Sequence, residues 1–283
     1  MALSFTASAR RLGVVSALGT VSLSVIYAVV LMAGLLSLQS SQQPIGDPLF
    51  AILEILIILT TPLMVALMVA VHSWAPAEAK VFSLMAVIFM SLLAGLTITV
   101  HFVLLTAGRQ SAFAGLSWMP LLLSFTWPSV PYALDILAWD VFFALAVLFA
   151  APVFSGNRLA ASIRALMIAS GVLSLAGLSG VVVGDMQLRM IGVVGYAGVF
   201  PIATLELILV LALLGILPVL VVPLKEPEAR FPALREIPDP VDCLQRLQVT
   251  NRLNYRPHAF QATERMSESI DCGIDSVESI LGS

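Results

Sequence analysis

The sequence predicts an all-α polytopic integral membrane protein: six transmembrane helices followed by a polar, largely disordered C-terminal tail. Two compositional facts and one pattern predict it. Hydrophobic residues make up 59% of the chain and charged residues only 11%, where soluble domains carry about 25% charged residues. Mean hydropathy is +1.02. Apolar runs of roughly 20 residues or more, long enough to cross a bilayer as helices, recur up to Leu224 and then stop. Residues 1–224 are therefore the membrane domain and residues 225–283 the tail.

Arg10 and Arg11 precede the first apolar run, Leu12 to Leu36. It is too long for the core of a signal peptide and is expected to remain as the first span. Gly13, Ala17, Thr20, Ser24 and Ala28 recur there at helical spacing. Such a stripe of small residues lets another helix approach closely. The second span, Leu49 to Val71, holds Thr60-Thr61-Pro62, which predicts a kink. Trp74, just beyond it, suits an interface anchor. The third span, Val81 to Thr106, puts Thr97 and His101 on one face.

Gly108 to Val130 is the longest link and carries Phe113, Trp118, Phe125 and Trp127, which predicts an interfacial segment. The fourth span follows, Pro131 to Phe154, and the fifth runs from about Ala160 to Gly184. The last apolar region is Met190 to Leu224. Gly192, Gly195, Gly198 and Pro201 predict a loosened or re-entrant start, with the helix proper after Pro201. A long tilted helix is the alternative.

Arg10, Arg11, Lys80, Arg158, Arg164 and the basic residues of the tail fall on one side of this topology, and Arg109 and Arg189 on the other. The positive-inside rule then places both termini in the cytoplasm, in a plasma or inner membrane. The tail opens with spaced prolines, Pro227, Pro232, Pro238 and Pro240, which keep it extended. Asp239-Pro240 can cap a short helix through Val249. Ile270, Ile274, Val277 and Leu281 make an apolar stripe suited to a cytoplasmic protein partner. Cys243 and Cys272 are expected as free thiols. A net charge of -3 without a basic patch gives no reason to expect a nucleic acid.

The informative residues are acids in the spans. Glu54 follows Pro48, Asp135 and Asp140 follow Pro131, and Glu206 follows Pro201. If each proline opens a descending helix, Glu54, Asp135 and Glu206 lie at a common level, roughly 6–9 Å below it. His101 falls at the same level and Asp140 deeper, roughly 13 Å below Pro131. Carboxylates at such depth are costly to retain, so the set predicts an outward-facing acidic pocket. Asp135 and Asp140, five apart, sit about 140° round an α-helix and so on different faces. The competing reading pairs each acid with Arg109, Arg189, His101 or a hydroxyl as structural glue. Leu93-Ala-Gly-Leu-Thr97 and Leu175-Ala-Gly-Leu-Ser179 also echo each other, which a parallel internal repeat would explain.

Gly177-Leu-Ser-Gly180, with Gly184 after it, resembles the Gly-x-Ser-Gly motif of rhomboid intramembrane proteases. The resemblance implies Ser179 as a nucleophile served by a histidine on a later helix. The only later histidine is His258, in the polar tail. A serine without a base is not activated, so Ser179 is assigned to a small-residue packing face and no catalytic residue is expected. The histidines and acids have no metal-site spacing and the glycines no nucleotide-loop pattern, so no metal or cofactor is expected.

The function expected is binding or transport of a small solute, coupled to protons or cations, in a bilayer-embedded protein. Glu206 and Asp140 are the principal ligand-binding candidates, with Glu54, His101 and Asp135 in support. The alternatives are a non-catalytic scaffold or sensor subunit and, behind it, an intramembrane hydrolase.

Overall fold

The computed structural model describes residues 6–39, 45–113 and 115–221. These residues form helices and connecting turns, with no strand among them. Six helices are long and apolar enough to span a membrane: Ala7–Leu36, Leu49–Trp74, Ala77–Arg109, Val130–Val153, Arg158–Val183 and Met190–Ala212. The protein is an integral membrane protein of six spans. The expected tail features, including the Asp239–Val249 helix, lie outside the described residues.

Local chemistry sets the helix ends. Thr6 caps the first span by accepting from the Ala9 amide at 3.1 Å. Ser129 caps the fourth by accepting from Tyr132, with Pro131 in its first turn, and Asn157 caps the fifth by accepting from Ala160. Gly184 ends the fifth span with φ of 78°, the left-handed conformation that glycine adopts without a Cβ penalty. The second span continues through Pro62. Proline cannot donate to the carbonyl of Ile58, and the hydroxyl of Thr61 lies 3.5 Å from that oxygen instead.

Each span packs mainly on its neighbours in the chain, from the first through to the sixth. The fourth is the most enclosed, with 61% of its central window buried. Met68, Met90, Phe143, Ile163, Met167 and Phe200 anchor the apolar core. The first span is the least enclosed, at 17%. Its lower half packs closely, with Gly13 against Ala70 and Leu211 of the second and sixth spans. Ala17 and Thr20 are buried in the same row. Further on, Ser24 is half-buried and Ala28 exposed, so the stripe leaves the packed interface partway along the helix.

Two helices contain wide, π-type turns. One spans Leu137–Phe142 in the fourth span, where the Phe143 amide bonds back to Ala138. The other spans Val194–Val199 in the sixth, where the Phe200 amide bonds back to Gly195. The second one precedes Pro201. The sixth span therefore starts at Met190 and runs on through Pro201, rather than starting after it. Of the three prolines expected to open helices, Pro48 and Pro131 do so and Pro201 lies inside one.

The two echoing segments of the proposed internal repeat both lie in helical spans but have different surroundings. Thr97 is buried and Ser179 exposed. Gly95 faces open space, whereas Gly177 touches the backbone of Gly192. Ser179 also leaves the packing face assigned to it. Gly177 and Gly180, on either side, supply the close contact.

Candidate functional site

Helix termini and wide turns bring an ionic chain together at one end of the bundle. Glu54 lies five residues into the second span and His101 near the end of the third. His101 Nδ1 lies 2.7 Å from Glu54 Oε2. The other ring nitrogen, Nε2, faces Asp135 Oδ1 on the fourth span at 3.6 Å. Asp135 Oδ2 accepts from Nη2 of Arg189 at 3.0 Å, and Asp140 Oδ2 accepts from Nε of the same guanidinium at 3.0 Å. Its third nitrogen, Nη1, donates to the Tyr132 hydroxyl at 3.1 Å. Glu54, His101, Asp135, Arg189 and Asp140 thus form one chain linking the second, third and fourth spans to the cap of the sixth, each of them buried.

The wide turn explains how Asp135 and Asp140 meet one partner. In a regular α-helix they would sit about 140° apart. The π-type turn from Leu137 closes i to i+5 bonds, which carries residues five apart toward the same side. The expectation that they occupy different faces is corrected accordingly. Glycine completes the seat of Asp140. A Cβ on Gly192 would stand 2.5 Å from Asp140 Oδ1, and one on Gly177 would stand 3.2 Å from it. The fifth span therefore approaches the sixth through paired glycines with the carboxylate against both.

Beside this chain lies a cavity of about 400 Å³. Thr20, Ser24, Tyr27 and Leu31 of the first span line one wall. Met190, Val193, Tyr196 and Phe200 of the sixth line the wall facing it. Glu54, His101, Asp135 and Arg189 form its polar end, with Phe125 beside them. Lining residues on both flanking helices are exposed, Ala28 on the first and Ala197 on the sixth. The mouth therefore runs along the seam between these helices, where the small-residue stripe has left its packed interface. The second wide turn borders the same space, and its Tyr196 ring lies 5.1 Å from Trp139 across the cavity wall.

Four of the five predicted ligand-binding residues, Asp140, Glu54, His101 and Asp135, meet in this chain, and Asp140 lies behind the cavity wall rather than on it. Glu206 does not join them. It lies about 24 Å along the sixth span from Met190, at 1.5 Å per residue. There it accepts from Ser162, near the start of the fifth span, at 2.9 Å. The error came from taking Pro201 as the helix start. By sequence Arg189 is a loop charge or a pairing candidate; in the structure it is the centre of the chain. Its spacing after Gly184-Asp185 gave no sign that it turns inward. Asp185 stays exposed and caps its own turn through the Gln187 amide. Arg109 pairs with Asp47 at 2.6 Å, away from the acids. Phe125 belongs to the link expected to lie along the surface, but its ring turns in against His101, 5.4 Å between centroids.

Several buried polar atoms have no hydrogen-bond partner among the described residues. Thr20 Oγ1 and Trp139 Nε1 both belong to residues lining the cavity, whereas His101 Nε2 has Asp135 as its ionic partner at 3.6 Å. Buried donors and acceptors are normally satisfied, so Thr20 and Trp139 point to an occupant, water or ligand. No group of three or more metal-ligating side chains occurs among the described residues. Comparison with protein-family models, with curated proteins and with solved structures finds no match.

Proposed function

We propose that this protein binds a small solute in the cavity between its first and sixth spans and couples that binding, in transport or sensing, to protons or cations. One observation supports the reading above the others: an apolar-walled cavity ends on an ionisable chain in which histidine bridges two carboxylates. A pure scaffold needs no cavity at that point. Histidine between Glu54 and Asp135 is also suited to take up or release a proton when a ligand arrives. Asp140, fully buried behind Arg189, has the scaffold role within the same site. Both termini are assigned to the cytoplasm on the arginine and lysine asymmetry, which turns the polar end of the cavity outward.

The test uses cysteine labelling in membranes, with Cys243 and Cys272 changed to serine. Ser24→Cys should react with a small permeant maleimide, because position 24 lines the cavity. Leu35→Cys, at the cavity's outer end, should react with an impermeant thiol reagent added outside. Labelling of Leu35→Cys only from the cytoplasmic side would reverse the orientation. An unreactive Ser24→Cys would remove the accessible cavity, and the binding reading with it. The melting temperature in detergent should depend on pH less in His101→Gln than in the parent.

A further inference from the structure

We infer that the cavity takes an amphiphilic organic cation, which enters sideways from the bilayer through the seam between the first and sixth spans. The inference rests on the binding reading above and names the chemical class that the site selects. Charge is the first ground. Glu54, Asp135 and Asp140 set three carboxylates against Arg189, with His101 between two of them. The formal excess is two negative charges with His101 neutral and one with it protonated. Arg189 is occupied by two of the carboxylates and Tyr132. Among the described residues, Glu54 has only His101 as an ionic partner. An anion would meet this excess unfavourably, and a cation would complement it in a low-dielectric setting.

The rings are the second ground. Tyr27, Phe125, Trp139, Tyr196 and Phe200 all line the cavity. Aromatic faces attract cations, and the attraction grows when the cation is desolvated. Weakly hydrated organic cations suit such a cage better than a metal ion, which no cluster of ligands here would hold. The third ground is the unsatisfied oxygen of Thr20, a residue 1% exposed and facing this space from the first span. The remaining walls, including Ile57, Met64, Leu31 and Val193, suit an apolar body.

The route follows from the shape. The mouth passes Ala28 and Ala197, small and exposed residues on the two flanking spans. It therefore opens at the depth of the hydrocarbon, where an amphiphilic cation partitions, as well as toward the polar end.

Tetraphenylphosphonium is the probe, with tetraphenylborate as its anion of like shape. The purified full-length protein in detergent is titrated with each by calorimetry, and Ser24→Cys labelling is followed in parallel. The phosphonium should bind and slow labelling, and the borate should do neither. Glu54→Gln and Tyr196→Leu should each weaken phosphonium binding about tenfold, the size of a desolvated cation–π or charge contact. Each variant's melting curve identifies any that fails to fold, and the other then carries the comparison. Equal binding of the two probes, or phosphonium binding unchanged in a folded variant, overturns the cation assignment. Neither probe binding while Ser24→Cys stays reactive also overturns it and leaves solute binding standing. An unreactive Ser24→Cys overturns both.

Discussion

At one end of the bundle Arg189 ties together side chains from distant parts of the sequence. At the other, Lys80 ties together the ends of two consecutive helices. Lys80 Nζ donates to the carbonyls of His72 at 2.5 Å and Ser73 at 3.3 Å, the last turn of the second span. His72 Nδ1 meets Ser83 at 2.8 Å, and Ser83 bonds back to the Lys80 carbonyl. These polar groups satisfy orphan backbone atoms where a short turn reverses the chain. The Arg189 end does something else. Its charges satisfy one another, their partners lie 49 and 54 residues away in sequence, and a cavity lies beside them. Helix-end chemistry can be solved locally. A charge cluster with a cavity requires several helices to be placed at once, which is why it identifies the site.

The comparison is broken most directly at Arg189. Replacing it with methionine leaves Asp135 and Asp140 buried without their cation. Removing one partner of a buried ion pair costs about 3–5 kcal/mol. Arg189→Met should therefore unfold at much lower denaturant in detergent than the parent. Arg189→Lys should recover only part of the loss, since one ammonium does not reproduce a planar fork that serves Asp140, Asp135 and Tyr132 together. A methionine variant as stable as the parent would mean that the cluster is not what holds this end.

A smaller loss is expected where the fifth and sixth spans touch. In Gly192→Ala the new Cβ would fall 2.5 Å from Asp140 Oδ1, and Asp140 cannot swing away without leaving Arg189. Overpacking of this kind costs about 1–3 kcal/mol. Gly95→Ala is the control, because a Cβ there meets nothing within 4 Å. It should be neutral or slightly stabilising in the same melts. Equal losses in both would show that helical glycine, and not the seat of Asp140, sets the cost.

The sequence made the spans legible because length and hydropathy alone decide them: each of the six expected runs became a helix. It also made four site residues legible, because buried carboxylates and histidine stand out against apolar neighbours. What it hid has three physical causes. Pro201 resembles a helix start, but a wide turn precedes it and the helix runs on through it, so Glu206 lies about half a helix length deeper than its spacing from Pro201 implies. The other wide turn, around Trp139, changes the angular bookkeeping that separated Asp135 from Asp140. Arg189 adjoins a polar turn in sequence, and nothing local distinguishes an arginine that faces water from one that folds inward. The first-span stripe was legible as packing, but one row of small residues serves two ends. It packs at Gly13 and lines the cavity from Thr20 onward.

At the opposite end, Lys80→Met should cost about 0.3–1 kcal/mol, the usual worth of a cation at a helix C-terminus. The loss should fall with added salt, because this group is only half-buried. A cost approaching that of Arg189→Met would erase the distinction between local capping and long-range closure.

The smallest effect is expected at Glu206, and it sharpens the comparison because the same chemical change can be made at Asp140. Glu206→Gln keeps a carbonyl oxygen for the Ser162 hydroxyl, which now donates to Glu206 Oε1 at 2.9 Å. Its other oxygen is buried without a partner among the described residues, so exchanging it for an amide nitrogen breaks no bond. No cation lies opposite it to be stranded among the described ion pairs. The net change should stay within about 1 kcal/mol, the scale of one neutral hydrogen bond. Asp140→Asn also keeps shape, but it removes a charge facing Arg189, and hydrogen bonds to charged groups are worth about 1.5–3 kcal/mol. Unfolding the two variants side by side in one detergent therefore reads the difference between an acid held by a hydroxyl and an acid held by a guanidinium. The expected order is Asp140→Asn well below the parent and Glu206→Gln close to it. If Glu206→Gln loses as much as Asp140→Asn, Glu206 has an ionic partner of its own. The Arg189 end would then no longer stand apart, among the described residues, as the part of the bundle closed by buried paired charges.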